Sequence, residues 1–177
     1  MTVKINYNVR PSKKNLDNQV VFVDDNFNIS GLKTHISRNE FSYIYDLINI
    51  NDKKKNIITF DISSKKKIIL VSTKKKMKSA EVESLGAKFY DHFKSTNKNI
   101  FNINTDSIIN QLNNFIGLFL HGLKLKSYNI DKYKTKKEKK KIILNVIGKN
   151  KPTVKNQIKF KAIEEGTFFA RDLVSKH

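Results

Sequence analysis

The sequence predicts an α/β domain in which a mixed β-sheet is flanked by helices. Short β-branched runs, such as Gln19–Asp24 and Lys141–Ile147, have the length and composition of strands buried in a sheet. Other stretches, such as Val82–Phe93, carry apolar residues every three or four positions, which is the period of an amphipathic helix. Because the two patterns alternate along the chain, a sheet lying between helices is the favoured architecture.

The first two predicted strands differ in how deeply they should be buried. Val3, Ile5 and Tyr7 alternate with polar residues, which predicts a half-buried or edge strand. The continuous apolar run within Gln19–Asp24 predicts burial on both faces, with a turn at Asp25-Asn26. A short helix is expected next, and its apolar residues are Phe41, Ile44, Tyr45 and Ile48.

The middle of the chain predicts a hairpin, a helix and a further strand. The apolar runs 55–61 and 67–72 are separated by the polar segment Ser63–Lys66, a spacing typical of a hairpin. The helix that contains Val82–Phe93 has Ser79 just before it as an N-cap candidate. A short strand is predicted over residues 99–103.

The longest apolar helix pattern precedes the last predicted strand, Lys141–Ile147, which Gly148 should close. Thr105 or Asp106 predicts the start of this helix, and Gly122 predicts its end, with His121 beside the negative end of the helix dipole. Its expected apolar face consists of Ile108, Ile109, Leu112, Phe115, Ile116, Phe119, Leu120 and Leu123.

We expect one domain over residues 1–150, followed by a linker and a connector helix over residues 151–177. Pro152 and a possible Thr153 N-cap predict where the helix begins, and no stop signal follows Val174, which predicts a helix that continues beyond this sequence. Such a helix should pack back on its own domain or pair between chains. Its expected apolar face consists of Ile158, Ala162, Ile163, Phe169, Ala170, Leu173 and Val174.

Composition limits the possible partners and compartments. The 177 residues include 35 Lys and Arg against 16 Asp and Glu, a formal net charge of +19 that attracts polyanions. The chain has no Cys, which excludes disulfides and thiolate metal sites and leads us to expect a cytoplasmic location. No apolar run approaches the roughly 20 residues needed to span a bilayer, so we expect no membrane partner.

Lysine supplies most of the positive charge, and some of these lysines form clusters, for which two interpretations stand. Solvated loops of a Lys-rich protein are the simpler one. The other is sequence-nonspecific nucleic-acid contact, because the clusters lack the Arg and interleaved aromatic residues used in base recognition. Binding would be weak and sensitive to salt. The candidate contact residues are Lys65, Lys66, Lys67, Lys74, Lys75, Lys76, Lys136 and Lys137.

Two stretches resemble a known enzyme family. Residues Gly122–Thr135 are similar to the pattern G-L-x-L-x-x-Y-x-F-D-x-Y-K of the leucyl aminopeptidase (cytosol aminopeptidase) family, with Ile130 in place of the aromatic residue. Glu165-Gly166 followed by Ala170–Val174 resembles the E-G-x-x-x-A-R-D-L-V segment between the two domains of that family. The order of the two stretches and their separation also agree with the family.

The resemblance implies different roles for the two domains of the family. Family members are two-domain, typically hexameric enzymes that remove N-terminal residues from peptides with two divalent metals, zinc or manganese. The metals and catalytic residues belong to the C-terminal domain, whose signatures N-T-D-A-E-G-R and K-G-x-T-F-D-S-G-G do not occur in this sequence. The N-terminal domain has a macro-domain-like fold and serves assembly and access to the site. No catalytic, cofactor-binding or metal-binding residue is therefore assigned to this chain.

A direct search for chemistry leads to the same expectation. The four His residues are too far apart in sequence for a metalloprotease helix, and no Gly-x-Ser-x-Gly elbow occurs. Asp24, Asp25 and Asp61 lie near strand ends, where sites often form but where Asp is also common in turns. The six Gly residues are scattered, which disfavours a phosphate-binding loop for ADP-ribose.

Two functions follow as hypotheses. The first is the non-catalytic N-terminal domain of a leucyl aminopeptidase, whose partners are a C-terminal catalytic domain and further copies of itself. Whether this chain is an enzyme on its own stays open, although we expect it to be inactive. The second is a nucleic-acid-binding module that uses the Lys-rich loops.

Overall fold

The computed structural model describes residues 2–9, 18–50, 55–94, 99–110, 112–128 and 141–174. They form one six-stranded sheet with the order β1-β6-β5-β2-β4-β3, in which only β3 and β4 pair antiparallel. The strands are β1 Thr2–Asn6, β2 Asn18–Asp24, β3 Ile57–Asp61, β4 Lys67–Thr73, β5 Ile100–Asn104 and β6 Lys141–Ile147. The predicted mixed sheet and the β3–β4 hairpin are confirmed.

Four α-helices and two short 3-10 helices complete the fold. The 3-10 helices cover Ser30–Thr34 and Thr105–Ser107. The α-helices are α1 Arg38–Ile48, α2 Ser79–Phe93, α3 Phe115–Lys126 and α4 Val154–Val174. No helix in the described ranges has the length and apolar character needed to cross a membrane.

The sheet separates two hydrophobic layers, and β2 contributes to both. Val20 and Phe22 point into the layer that contains α2 and α3, whereas Val21 and Val23 point into the layer beneath α1. This arrangement follows from the two-residue repeat of a strand and explains the continuous apolar run in β2. β1, in contrast, lies at one edge of the sheet, as its alternating pattern predicted.

α1 confirms a helix near residue 41 but not every residue of its expected apolar face. Ile44 and Ile48 are buried, and Ser37 forms a reciprocal capping box with Glu40. Tyr45 is 58% exposed, because its ring stacks along Phe41 at the open side of the helix instead of entering the core.

Two helix starts differ from the expectation. Ser79 is the first residue of α2 rather than its cap, and Glu81 accepts the Lys78 backbone N–H at 2.6 Å. The helix expected at Thr105 or Asp106 begins only at Phe115. The reason is that the polar side chains at 104–107 bond to nearby backbone groups, as Thr105 does to the Ile147 carbonyl, and this competes with helix formation. Ile108, Ile109 and Leu112 therefore precede α3.

Gly122 does not end its helix, which continues to Lys126. It lies instead at the contact between α3 and α2, where a side chain would collide with the Glu83 carbonyl. Gly86 makes the reciprocal approach from α2 to the Phe119 carbonyl. The two glycines allow these helix backbones to pack closely over the sheet.

α4 begins as predicted, because the Thr153 hydroxyl accepts the Asn156 backbone N–H at 3.3 Å. The helix then packs against α3. The expected apolar face does not make this contact.

Candidate functional site

The contact between α3 and α4 is centred on a buried histidine and a buried carboxyl group. His121 Nδ1 lies 2.9 Å from Glu164 Oε1, with 6% and 11% of the two side chains exposed. The Phe160 ring covers the imidazole, with ring centroids 4.8 Å apart. His121 therefore anchors α4, and since α3 continues to Lys126, it is not the helix-end residue that was expected.

A second set of contacts fixes the C-terminal half of α4. The Tyr128 hydroxyl donates to Asp172 at 2.5 Å, and its ring stacks on Phe168. Arg171 donates to the Leu125 carbonyl at 3.0 Å and lies over the Tyr128 ring. Arg171 and Asp172 thus hold α4 against the end of α3.

Charged groups also line a cavity of about 520 Å³ between β1, α3 and α4. Lys124 Nζ donates to the Val3 carbonyl at 2.6 Å, and burial lowers the Lys124 pKa although the Glu164 charge opposes that shift. Burial, assisted by Glu164, raises the pKa of Tyr7 to about 12. Tyr7 is therefore neutral, and Glu164 lies close to both Lys124 and His121.

The opposite side of α4 is an open apolar face. The aliphatic and aromatic residues expected to be buried range in exposure from 43% for Ile163 to 80% for Val174. Phe169, the largest of them, is 65% exposed. Since a contiguous exposed apolar surface commonly marks an interaction site, this open face is the candidate functional surface of the chain. We define it as Ile158, Ala162, Ile163, Phe169, Ala170, Leu173 and Val174.

Two of the lysine clusters lie at opposite ends of β4. Lys65, Lys66 and Lys67 lie at the start of β4, whereas Lys74, Lys75 and Lys76 follow its end. At about 3.3 Å per residue, the seven-residue strand holds the two clusters some 20 Å apart. Lys136 and Lys137 lie outside the described residues.

The cluster at the start of β4 is also partly neutralised. Lys66 is buried and pairs with Glu40 at 2.5 Å, and Lys67 pairs with Asp61 at 2.5 Å. Two of the eight candidate contact residues therefore have a structural partner inside the domain. Lys74, Lys75 and Lys76 are exposed.

The carboxyl ends of β2 and β5 form the crevice where an α/β fold often binds ligands, because their connections leave toward opposite faces of the sheet. This crevice of about 360 Å³ contains Asp24, His35 and Asp106. Asp24 accepts the backbone N–H groups of Asn26 and Asn28, and Asp106 accepts that of Lys149. The two carboxylates cap turns and would repel a phosphate group.

Metal ligation receives no support from the part of the chain that the structure describes. Within those ranges, no group of three His, Asp or Glu side chains is arranged to hold an ion. The two divalent metals that the family resemblance implies for the parent enzyme were expected in its C-terminal domain.

Several residues that position α4 were not recognised from sequence. Phe160, Glu164 and Phe168 are spaced four residues apart and form one stripe of the helix. Glu164, in the middle of this stripe, is charged, and hydrophobic periodicity does not assign a charged residue to a buried face. The aromatic residue on each side of it is nevertheless a signal of burial. Its partner His121 is 43 residues away, and nothing local links the two.

Comparisons with known proteins bear on the fold. No family model and no curated protein sequence matches this chain. Among solved structures, a mutant of tomato leucine aminopeptidase superposes with a TM-score of 0.70 at 15% sequence identity. The match covers 98% of this chain and 38% of the tomato chain. At this identity the likeness establishes a shared fold, and the chain spans little more than a third of the enzyme it resembles.

Proposed function

We propose that this chain is a non-catalytic N-terminal domain of a leucyl aminopeptidase-type protein, and that the open face of α4 docks onto a catalytic domain. The single observation that carries the proposal is the orientation of α4. One side of the helix is fixed to the domain through Glu164, Phe168 and Asp172, while the other side presents Phe169 and its apolar neighbours to solvent.

The fold likeness supports the same proposal from another direction. Nearly the whole chain matches one part of an aminopeptidase chain, and the part of that chain left unmatched is the larger one. A second domain that covers α4 would remove its apolar face from water, at a gain of roughly 25 cal/mol for each Å² of apolar surface buried. The domain described here would then contribute assembly and access to the active site, with further copies of the protein as partners.

Site-specific labelling tests the docking role, because the natural sequence contains no Cys. Phe169→Cys should react quickly with a maleimide in the 177-residue chain. It should react slowly when the chain is produced together with the polypeptide encoded directly downstream, either as one fusion or as two separate proteins. Lys88→Cys, on the exposed side of α2, is the matched control and should react equally in both cases.

Two results would contradict the proposal. One is equal labelling of Phe169→Cys in both preparations, combined with a following coding sequence that lacks the metal-ligand signatures. The other is hydrolysis of leucine anilides by the purified 177-residue chain with added manganese or zinc, which would make the chain catalytic in its own right.

A further inference from the structure

A groove of about 940 Å³ lies on the α1 side of the sheet, opposite the layer that contains α2 and α3. It is built by the turn after β2, the 3-10 helix Ser30–Thr34 and α1. Its size falls at the upper end of the range for small-molecule sites, about 300–1,000 Å³.

The groove has an apolar floor and an aromatic wall. Phe27, Ile29 and Ile48 form the floor and are each buried to at least 95%. Phe41 and Tyr45 form the wall, with ring centroids 6.2 Å apart and ring planes inclined by 27°. Since Tyr45 is more than half exposed, it extends the wall outward and offers a surface on which a planar group can stack.

Two cationic side chains, Lys33 and Arg38, lie at the rim of the groove. Lys33 Nζ lies 5.1 Å from the centroid of the Phe41 ring, and Arg38 begins α1 beside it. No acidic residue is found among the described residues that line the groove. Glu40, two residues after Arg38, directs one carboxylate oxygen to Lys66 and the other to the Ser37 backbone N–H. Its charge is thus satisfied elsewhere, and the rim stays positive.

The backbone of the floor is strained. Phe27 has a φ of +56°, a left-handed conformation that few non-glycine residues adopt and that costs energy. The conformation places a buried aromatic ring beneath the groove, beside the polar groups of Asn28 and Ser30. Strained residues of this kind concentrate at ligand sites, because the surrounding structure must hold them in place.

We propose that this groove binds a small planar aromatic ligand that carries an anionic group, of the nucleoside monophosphate class. The aromatic ring would stack on the wall formed by Phe41 and Tyr45. The anionic group would face Lys33 and Arg38, of which Arg38 offers a fork of donors suited to phosphate. A cationic ligand is disfavoured by the same charges. A polynucleotide is disfavoured because two rim cations do not provide a continuous basic track.

Calorimetric titration of the 177-residue chain with adenosine 5′-monophosphate tests the proposal. We expect saturable binding that Arg38→Gln and Tyr45→Ala each weaken by about tenfold, the loss expected for one charged hydrogen bond or one stacked ring. Both residues are exposed, so neither change should unfold the protein. Lys74→Gln is the control, since it removes the same unit of charge from an exposed site at the end of β4 and should leave the affinity unchanged.

Two further ligands distinguish the contribution of the aromatic base to binding from that of the phosphate. Adenosine and ribose 5-phosphate should each bind more weakly than the complete nucleotide if the wall and the rim act together. The proposal is overturned if the nucleotide does not saturate the protein. It is overturned equally if Lys74→Gln weakens binding as much as Arg38→Gln, which indicates attraction to net charge alone, or if only a single-stranded oligonucleotide binds.

Discussion

Glu164 on α4 and His121 on α3 lie 2.9 Å apart in a buried contact, although 43 residues separate them in sequence. This contact determines which side of α4 faces the domain. The helix is therefore attached by polar and aromatic groups, and the apolar residues of its other side are exposed.

Removal of the Glu164 carboxylate should loosen α4 without unfolding the sheet. In Glu164→Ala, His121 is left buried without its partner, at an expected cost of about 1–3 kcal/mol. Hydrogen exchange of the amides in Val154–Val174 should accelerate, while exchange in β2 and β4 should not change. Glu165→Ala is the control, because Glu165 is 68% exposed and has only a surface contact with Lys161. Equal exchange in the two variants would contradict this role of Glu164.

Substitution of the interhelical glycines should destabilise the whole domain. A methyl group at Gly86 meets the backbone of Phe119 and one at Gly122 meets that of Glu83, so each Gly→Ala change should cost about 1–3 kcal/mol through overpacking. Gly166→Ala in α4 should instead be neutral or stabilise by up to about 1 kcal/mol, because its surroundings are open. Urea unfolding followed by circular dichroism provides the comparison. The interpretation fails if all three variants shift the midpoint in the same direction.

Glu40 should make the domain sensitive to acid. Burial raises the Glu40 pKa, but hydrogen bonds from Lys66 and Ser37 outweigh burial and leave the pKa below its ordinary value of 4.5. The contribution of Glu40 is thus fully present above the unfolded pKa and is lost as the pH falls through the lower folded pKa. Glu40→Gln should lose about 1–3 kcal/mol at neutral pH and much less in acid.

Thermal unfolding at neutral pH and again in acid checks this expectation. Asp46→Asn is the control, since Asp46 is an exposed residue of the same helix. It should change stability by less than about 0.5 kcal/mol at either pH. A stability gap between wild type and Glu40→Gln that stays constant across this pH range would show that the ion pair with Lys66 does not titrate as expected.

Binding to duplex DNA should be weak and should disappear near physiological salt, about 0.15 M, because the lysine clusters lie at opposite ends of β4. The combined change of Lys74, Lys75 and Lys76 to Gln should reduce binding more than Lys66→Gln does, since Lys66 is already paired. Fluorescence anisotropy at several salt concentrations measures both effects. Tight binding that persists at physiological salt would favour the nucleic-acid module instead.

The strands were predictable because their signal is local. The apolar runs of β2, β4 and β6 identify buried strands without knowledge of their partners, and the spacing of β3 and β4 identifies a hairpin. The start of α3 was not predictable in the same way. The polar side chains of Thr105 and Asp106 bond to groups near residues 147–149, which only the folded chain brings close.

The groove beside α1 also combines features that the sequence reveals with others that only the folded chain decides. The sequence contains Lys33, Arg38, Phe41 and Tyr45 within a short interval, but a helical pattern placed both aromatic residues in the core. Their exposure depends on the absence of a covering element on that side among the described residues, together with the strained turn at Phe27.

The sequence by itself determined the α/β class, the order of strands and helices, and the presence of a terminal helix with a Thr153 cap. Only the tertiary structure decided which side of that helix is buried. The helix carries apolar residues on two sides, with Phe160 and Phe168 on one and Ile158 and Phe169 on the other, so hydrophobic periodicity does not choose between them. The choice comes from His121 and Tyr128, whose polar groups require partners that Glu164 and Asp172 supply.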